Sequence, residues 1–317
     1  MRVAFFASDP IAIPAMEFLR GSKNFPLACV VSNPDKPQGR GAKVKPNAVS
    51  EWAINCGVEL LRPEKPDDAC VARLRELGAE LIVVMAYGHI LKKNILEYSD
   101  LPCLNLHASI LPELRGASPI ETAIALNYKE TGVSLMKIVP RMDAGPVCAT
   151  EKIFTDSRET AHSLREKVSL AAAELLEKYI SDVACGAAKF VEQDESRATY
   201  TRKHDKEDAR LNFFESAENV DARVRAFGAG IFSYKGEDIK VSEPSFDVSR
   251  PCGAREGEVL EASVSAGLRV ACKIGSVCFR KIQRPCAKML DASEFFKGYK
   301  IENGEVLKSF ENKNFLK

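Results

Sequence analysis

No apolar run in the 317 residues approaches the ~18–20 needed for a helical membrane span. The ten cysteines contain no Cys-x-x-Cys pair, so the spacing of a zinc ribbon or a redox dithiol is missing. No G-x-G-x-x-G follows the first apolar run and no G-K-[ST] occurs anywhere, which argues against a nicotinamide site and a phosphate-binding P-loop. Neither charge sign dominates. Lys+Arg is 45 against 44 Asp+Glu, a formal charge of +1 that leaves no supercharged tail. Internal repeats and low-complexity segments are absent. The opening MRVAFFASDP reads as a strand rather than a secretory signal or transit leader. Most cysteines sit in apolar runs such as LACVV and RVACKI, as buried thiols of a reducing, cytoplasmic setting.

What is present is a globular composition, 45% hydrophobic and 28% charged. At roughly 100–200 residues per domain, the length suggests two domains or one large one. The first half alternates. Strand-like runs at 2–8, 27–32, 80–87 and 101–109, and a short one in VELLRP, are interleaved with helical stretches at 10–21, 48–57, 67–78 and 118–127. Runs at 131–139 and 146–154 read as two strands joined by a tight turn, and a long helix covers about 159–184. Such alternation predicts an α/β fold with a mostly parallel, Rossmann-like sheet over residues 1–187. Its ligands sit at the carboxyl ends of the strands, which directs attention to 7–10, 33–46, 86–90, 105–118 and 139–146. Residues 188–210 read as a charged connector with little core, and 214–228 as one amphipathic helix. Short β-like runs from 231 onward suit a small C-terminal barrel of the OB type over 211–317. Charge splits between the halves, −3 for residues 1–196 (23 basic, 26 acidic) and +4 for 197–317 (22 and 18).

Two polar residues leave the 101–109 strand together. Asn105 and His107 are two apart and so share a face. An amide donor and an imidazole at the carboxyl edge of a sheet can grip a carbonyl oxygen as it becomes an oxyanion. A histidine hydrogen-bonded in the core is the plainer alternative. Asp143, in PRMDAGP, reads on residue type alone as a turn aspartate before a glycine. If that turn folds over the Asn105/His107 edge, Asp143 becomes a general base or orients the imidazole. Residues 34–46, PDKPQGRGAKVKP, carry Lys36, Arg40, Lys43 and Lys45 against Asp35, a net +3 beside two glycines. A basic segment of this kind can meet phosphates, or can simply be a solvated loop.

HASILPELRG, residues 107–116, resembles the H-x-S-L-L-P-x-x-R-G signature of the 10-formyltetrahydrofolate-dependent formyltransferases. Asn105 precedes it at that family's spacing, and Asp143-Ala144-Gly145 resembles the family's D-x-G element. AYGHIL, 86–91, resembles the loop that holds the pterin, and 34–46 resembles the basic insertion of the members that act on methionyl-tRNA. The chain departs from the family at residues 7–10, ASDP, where a glycine is usual, and at Ile110, where leucine is usual. The resemblance implies a formyltransferase fold with 10-formyltetrahydrofolate as donor and no metal. It implies methionyl initiator tRNA as acceptor, translation initiation as the setting and a monomer as the working form. It also implies Asn105, His107 and Asp143 as catalytic residues. Ser109, Ile110, Leu111, Pro112, Tyr87 and Gly88 would contact the folate. Arg40, Lys36, Lys43 and Lys45 would contact the tRNA, as would the C-terminal barrel. A relative formylating a sugar-nucleotide amine and a non-catalytic RNA-binding scaffold are the alternatives.

Overall fold

The computed structural model describes residues 1–38, 43–249 and 253–317. The chain forms two compact units that interleave along the sequence. Unit 1 comprises Met1–Gly116, Glu130–Phe154 and Arg165–Tyr200; unit 2 comprises Ala117–Lys129, Thr155–Leu164 and Thr201–Lys317. The texture of the sequence marks a single passage through a connector at 188–210, whereas the chain enters the second unit first at Ala117.

The strands of unit 1 are β1 (Arg2–Phe6), β2 (Leu27–Val31), β3 (Lys36–Gln38), β4 (Lys43–Lys45), β5 (Leu60–Leu61), β6 (Ala79–Val84), β7 (Leu104–His107), β8 (Arg115–Gly116), β9 (Glu130–Lys137) and β10 (Val147–Phe154). Seven of them form one sheet in the order β10-β9-β7-β6-β1-β2-β5. The pairings from β7 through β6, β1 and β2 to β5 are parallel, and β9 and β10 add an antiparallel edge. β1, β2 and β6 are runs of Val, Phe, Leu, Ile, Ala and Cys because both faces of a parallel sheet are covered, and after the first residue or two of each they are fully buried. Burial pushes the Cys29 thiol up to about 12 and that of Cys70 up to about 11, which keeps both protonated and inert.

The helices of this unit begin with α1 (Ile13–Gly21), α2 (Ala48–Asn55), α3 (Asp68–Glu76) and a short α4 (Lys93–Leu96). Asn47 caps α2 by accepting from Ser50 N, and Asp67 caps α3 by accepting from Cys70 N. The stretch expected as one helix from residue 10 opens instead as a 3₁₀ turn, Pro10–Ala12, with Asp9 accepting from Ile11 N. The 33–46 segment is not plain loop, since β3 and β4 pair antiparallel within it, Lys36 opposite Lys45. β9 and β10 are joined not by a tight turn but by residues 138–146, long enough to form a structure of their own.

Unit 2 contains α5 (Pro119–Ala125), the first turn of α6 (Ala161–Ala184), α7 (Ala217–Phe227) and α8 (Ala292–Gly298). After a two-residue β11 (Tyr200–Thr201), its strands are β12 (Gly230–Tyr234), β13 (Glu237–Asp247), β14 (Val259–Ser263), β15 (Gly267–Ala271), β16 (Ser276–Gln283) and β17 (Leu290–Asp291). They make an antiparallel sheet in the order β12-β13-β16-β15-β14, with β17 on β16. The C-terminal segment closes it. Val306 bridges Glu258 beside β14 and Lys308 bridges Ser233 in β12, so one stretch of chain ties the two edges of the sheet together. Phe213, Phe232, Val241, Val270, Phe279 and Leu307 are among the residues filling the interior.

α7 is buried beyond the one face expected of an amphipathic helix. Arg225 Nε donates to Asp221 Oδ2 at 2.6 Å, and its other nitrogens donate to Glu159 O and Asn127 Oδ1. Asp221, Arg223 and Arg225 are enclosed because each is paired within unit 2. Among the described residues no helix is long and apolar enough to cross a membrane, and no cluster of side chains could hold a metal ion.

Candidate functional site

The carboxyl ends of β1, β2, β6 and β7 lie at one edge of the unit 1 sheet, because these strands run parallel. The loops leaving them are tied to each other by main-chain bonds. Ser8 N donates to Ala86 O, and Ala7 N donates to Val31 O. Asn33 Nδ2 donates to Tyr87 O at 3.0 Å and Asn33 N donates to Ser8 Oγ, so the 86–90 loop is held from the β2 side. Asn33 Oδ1 is a buried acceptor with no partner among the described residues.

β7 carries Asn105 opposite Met136 and His107 opposite Ser134. Asn105 is half-buried, and no described residue hydrogen-bonds its amide. His107 is buried, 6% exposed, and its Nε2 lies 3.0 Å from Leu114 O. A carbonyl only accepts, so Nε2 carries the proton in the neutral ring, and Nδ1 is free to act at the open side. Nδ1 faces Asp143 Oδ2 at 3.7 Å. Two residues 36 positions apart are thus brought together by the β9–β10 connection, as the folded-over turn requires.

Asp143 has φ +48°, a left-handed conformation that Asp tolerates better than most residues. Its Oδ2 accepts from Gly116 N at 2.8 Å. Among the described residues nothing donates to Oδ1. Gly116 in turn sits at φ +103°, a conformation only glycine adopts readily. The glycine of D-x-G has a different reason. A Cβ on Gly145 would stand 1.9 Å from Lys137 O, where the connection closes on β9. Both glycines of the two motifs therefore serve the approach of one loop to another.

The 107–116 loop is fastened throughout. Ser109 Oγ donates to Glu113 O at 2.6 Å, Ser134 Oγ donates to Ser109 O, and Leu111 N donates to Ser134 Oγ. Leu114 N donates to Thr199 Oγ1 at 2.8 Å. The Ser109 hydroxyl proton is thus spent inside the loop. Ile110 and Pro112 belong to the same pinned turn, which leaves their apolar surface in a fixed place.

Arg115, with no exposed surface, anchors this loop. Its Nε and Nη2 donate to Gln193 Oε1 at 3.0 and 2.7 Å, its Nη1 donates to Tyr200 Oη at 2.7 Å, and it pairs with Glu195 at 2.8 Å. Burial works against the Arg115 charge. The hydrogen bonds to Glu195 and Tyr200 outweigh that, so its pKa is raised, and Glu195, bonded to Arg115, is held below the usual carboxylate range. Gln193, Glu195 and Tyr200 come from the stretch read as a connector with little core. That reading is corrected here: this stretch closes around a buried guanidinium. The sequence signal for it is the arginine of the 107–116 motif, a charge that must find partners if it is buried.

The remaining candidates divide. Tyr87 is not a cleft-facing ring. It packs edge-on to Phe6, centroids 5.3 Å apart, within the core that includes Val31, Cys70 and Leu91. Burial pushes its hydroxyl pKa well up, and the oxygen has no partner among the described residues. What the loop offers outward is backbone and Gly88, at φ +83°, where a Cβ would meet only Asn33 Nδ2, at 3.7 Å. Lys45 is exposed at the end of β4. Lys36 and Lys43 lie on the paired strands β3 and β4. Arg40 lies outside the described residues.

Comparison with known proteins accounts for nearly the whole chain. Residues 1–180 match the family described as "Formyl transferase" and residues 203–300 the one described as "Formyl transferase, C-terminal domain". A methionyl-tRNA formyltransferase of Saccharopolyspora erythraea is 35% identical over 315 residues, covering 97% of this chain and 100% of the relative. One from Delftia acidovorans is 33% identical over 320 residues, covering 97% of each. Among solved structures, the N-formyltransferase of Helicobacter canadensis with folinic acid and dTDP-3-aminofucose aligns with a TM-score of 0.64 at 17% identity, covering 89% of this chain and 98% of that one. HypX from Aquifex aeolicus with tetrahydrofolic acid aligns at 0.64 and 16% identity, covering this chain fully and half of its own. At such identities the structures speak for the fold.

Proposed function

The chain belongs to the formyl transferase family, and from that premise we propose that it formylates the free α-amine of methionyl initiator tRNA, using 10-formyltetrahydrofolate, in the cytoplasm. One observation carries the reading: the likeness to relatives named methionyl-tRNA formyltransferases runs through 97% of the chain, the C-terminal part included. The enzyme yields N-formylmethionyl-tRNA for translation initiation.

Several features of unit 1 suit a folate. Gly88 leaves bare backbone beside the unpartnered Asn33 Oδ1, and the 109–112 turn is held rigid by its bonds to Ser134 and Glu113. Ser109 to Pro112 and the main chain of Tyr87 and Gly88 would hold the pterin and its neighbouring groups. The bound folate supplies an activated formyl group on a nitrogen.

The protein's own part is electrostatic and protolytic. The uncommitted amide of Asn105 is a donor for the formyl oxygen as negative charge develops on it. His107 contributes a second donor at Nδ1 when the ring is protonated, since Nε2 is already committed to Leu114 O. Asp143 Oδ2 is occupied by Gly116 N and faces that ring, so Oδ1 is the oxygen available to the attacking amine, directly or through water. The amine loses one proton in becoming an amide, and the folate nitrogen gains one as its bond to the formyl carbon breaks. Asp143 is placed to take the first and return it. Arg40, Lys36, Lys43 and Lys45 of the basic 34–46 segment, and the closed sheet of unit 2, would engage the tRNA phosphates.

The test is turnover with 10-formyltetrahydrofolate and charged initiator tRNA, with uncharged tRNA and an amino-sugar nucleotide as parallel acceptors. Transfer to the charged tRNA alone supports the reading. Transfer to the sugar amine alone replaces it with small-amine formylation. Arg40→Ala is expected to raise KM for the charged tRNA and leave KM for the folate unchanged; an unchanged KM for the charged tRNA would remove the 34–46 segment from tRNA binding.

A further inference from the structure

Gln193, half-buried, joins the network around the buried Arg115 and touches both halves of the site loop system. Its Nε2 donates to Asp143 O at 2.8 Å and to Gly145 O at 2.7 Å. Its Oε1 accepts from Arg115 Nε and Nη2. The amide orientation follows from chemistry alone. A guanidinium only donates and two carbonyls only accept, so the oxygen must face the one and the nitrogen the other. Arg115 is fixed in turn by Tyr200 and Glu195, and its neighbour Gly116 donates to the Asp143 carboxylate. Asp143 is therefore held by its side chain from one strand of the network and by its main chain from the other. The main-chain hold matters because the residue stands at φ +48° in a connection with no regular secondary structure. Apart from Ala144 N donating to Arg141 O at 3.3 Å, the Gln193 amide supplies the hydrogen bonds that hold the 143–145 main chain among the described residues.

We infer that Gln193 is a positioning residue for the transfer reaction: its side-chain amide sets the 143–145 turn so that the Asp143 carboxylate meets His107 and the attacking amine. This rests on the proposed role of Asp143. The alternative is that Gln193 merely fills the space beside Arg115 and contributes stability.

Gln193→Glu separates the two. It keeps the size and the partnership with Arg115, but it has no donor, and it sets a carboxylate oxygen against two carbonyls. The full chain would be assayed with 10-formyltetrahydrofolate and charged tRNA, alongside Asp143→Asn and the double variant. Displacement of a catalytic group by about 1 Å can cost on the order of a hundredfold, so a fall in kcat of at least about tenfold is expected, with KM for the folate within about twofold. The double variant should be no more than about threefold slower than Asp143→Asn alone, because both changes act through one carboxylate. Gln193→Met, which has neither donor nor acceptor, serves as a second probe if the glutamate variant folds poorly. A lowered melting temperature with unchanged kcat in the folded fraction would overturn the inference and leave Gln193 structural. Full activity in Asp143→Asn would instead overturn the role of Asp143 itself, whatever Gln193→Glu does.

Discussion

At the scale of single residues the site depends on where protons sit. Nε2 of His107 is committed to Leu114 O, so the face it shows to Asp143 is set by the fold. Asp143→Asn retains an acceptor for Gly116 N but loses the basic oxygen. Formyl transfer should fall by about 10²–10⁴-fold, the usual worth of a general base, while the melting temperature moves by less than about 3 °C. Steady-state turnover with a parallel melt checks both. Arg115 carries the opposite kind of role. Arg115→Met removes a buried cation whose partners stay behind, and the expected loss is about 2–4 kcal/mol in urea unfolding. The approach of Asp143 to His107 was legible in the sequence because both sit in dense motifs. Gln193 was not. Its signal is one polar residue among many in a charged stretch, and its partners lie 78 and 50 positions away. Tyr87, offered by the resemblance as a folate contact, has its ring packed edge-on against Phe6 in the core, a placement that the loop's sequence does not announce.

At the scale of elements, the parallel strands were legible because burial on both faces writes them as unbroken apolar runs. The pairing of β3 with β4 was not, since Lys36, Pro37 and Gln38 carry little strand propensity and three residues of Lys-Val-Lys are too few to show a pattern. The β9–β10 connection was read as a turn because its Pro, Asp and Gly match one, whereas its length lets it carry Asp143 across to β7. That connection has little tolerance. Gly145→Ala must push a methyl against Lys137 O, and a destabilisation of about 2 kcal/mol or more is expected by chemical unfolding, with turnover falling alongside. An alanine variant with parental stability and rate would mean that the connection can shift without disturbing Asp143.

At the scale of the whole molecule, acid should find unit 2 through Asp208. This residue is buried and bonded to Arg202 and to Asp205 N. Burial raises its pKa, but the Arg202 hydrogen bond and the Asp205 N–H outweigh that and bring it down to about 2. A folded value below the unfolded one means its contribution is full above pH ~4 and is lost as the pH falls toward 2, on the order of 2 kcal/mol in all. Asp208→Asn should be less stable at pH 7 and flatter between pH 4 and 2 in urea titrations. A parallel slope for both proteins would assign the acid sensitivity elsewhere.

The bridges made by Val306 and Lys308 have a consequence in time. A chain grown from its N-terminus has β12 and β14 in hand well before the segment that joins them. Until then both strands offer unpaired main-chain groups to any neighbouring strand. Ending the chain after Asn303 should make that waiting state permanent: the protein should enter aggregates on expression, and light scattering of what stays in solution should rise with concentration. The segment carrying Val306 and Lys308, made after both strands it joins, is thus the one that takes their edges out of reach of a neighbouring strand.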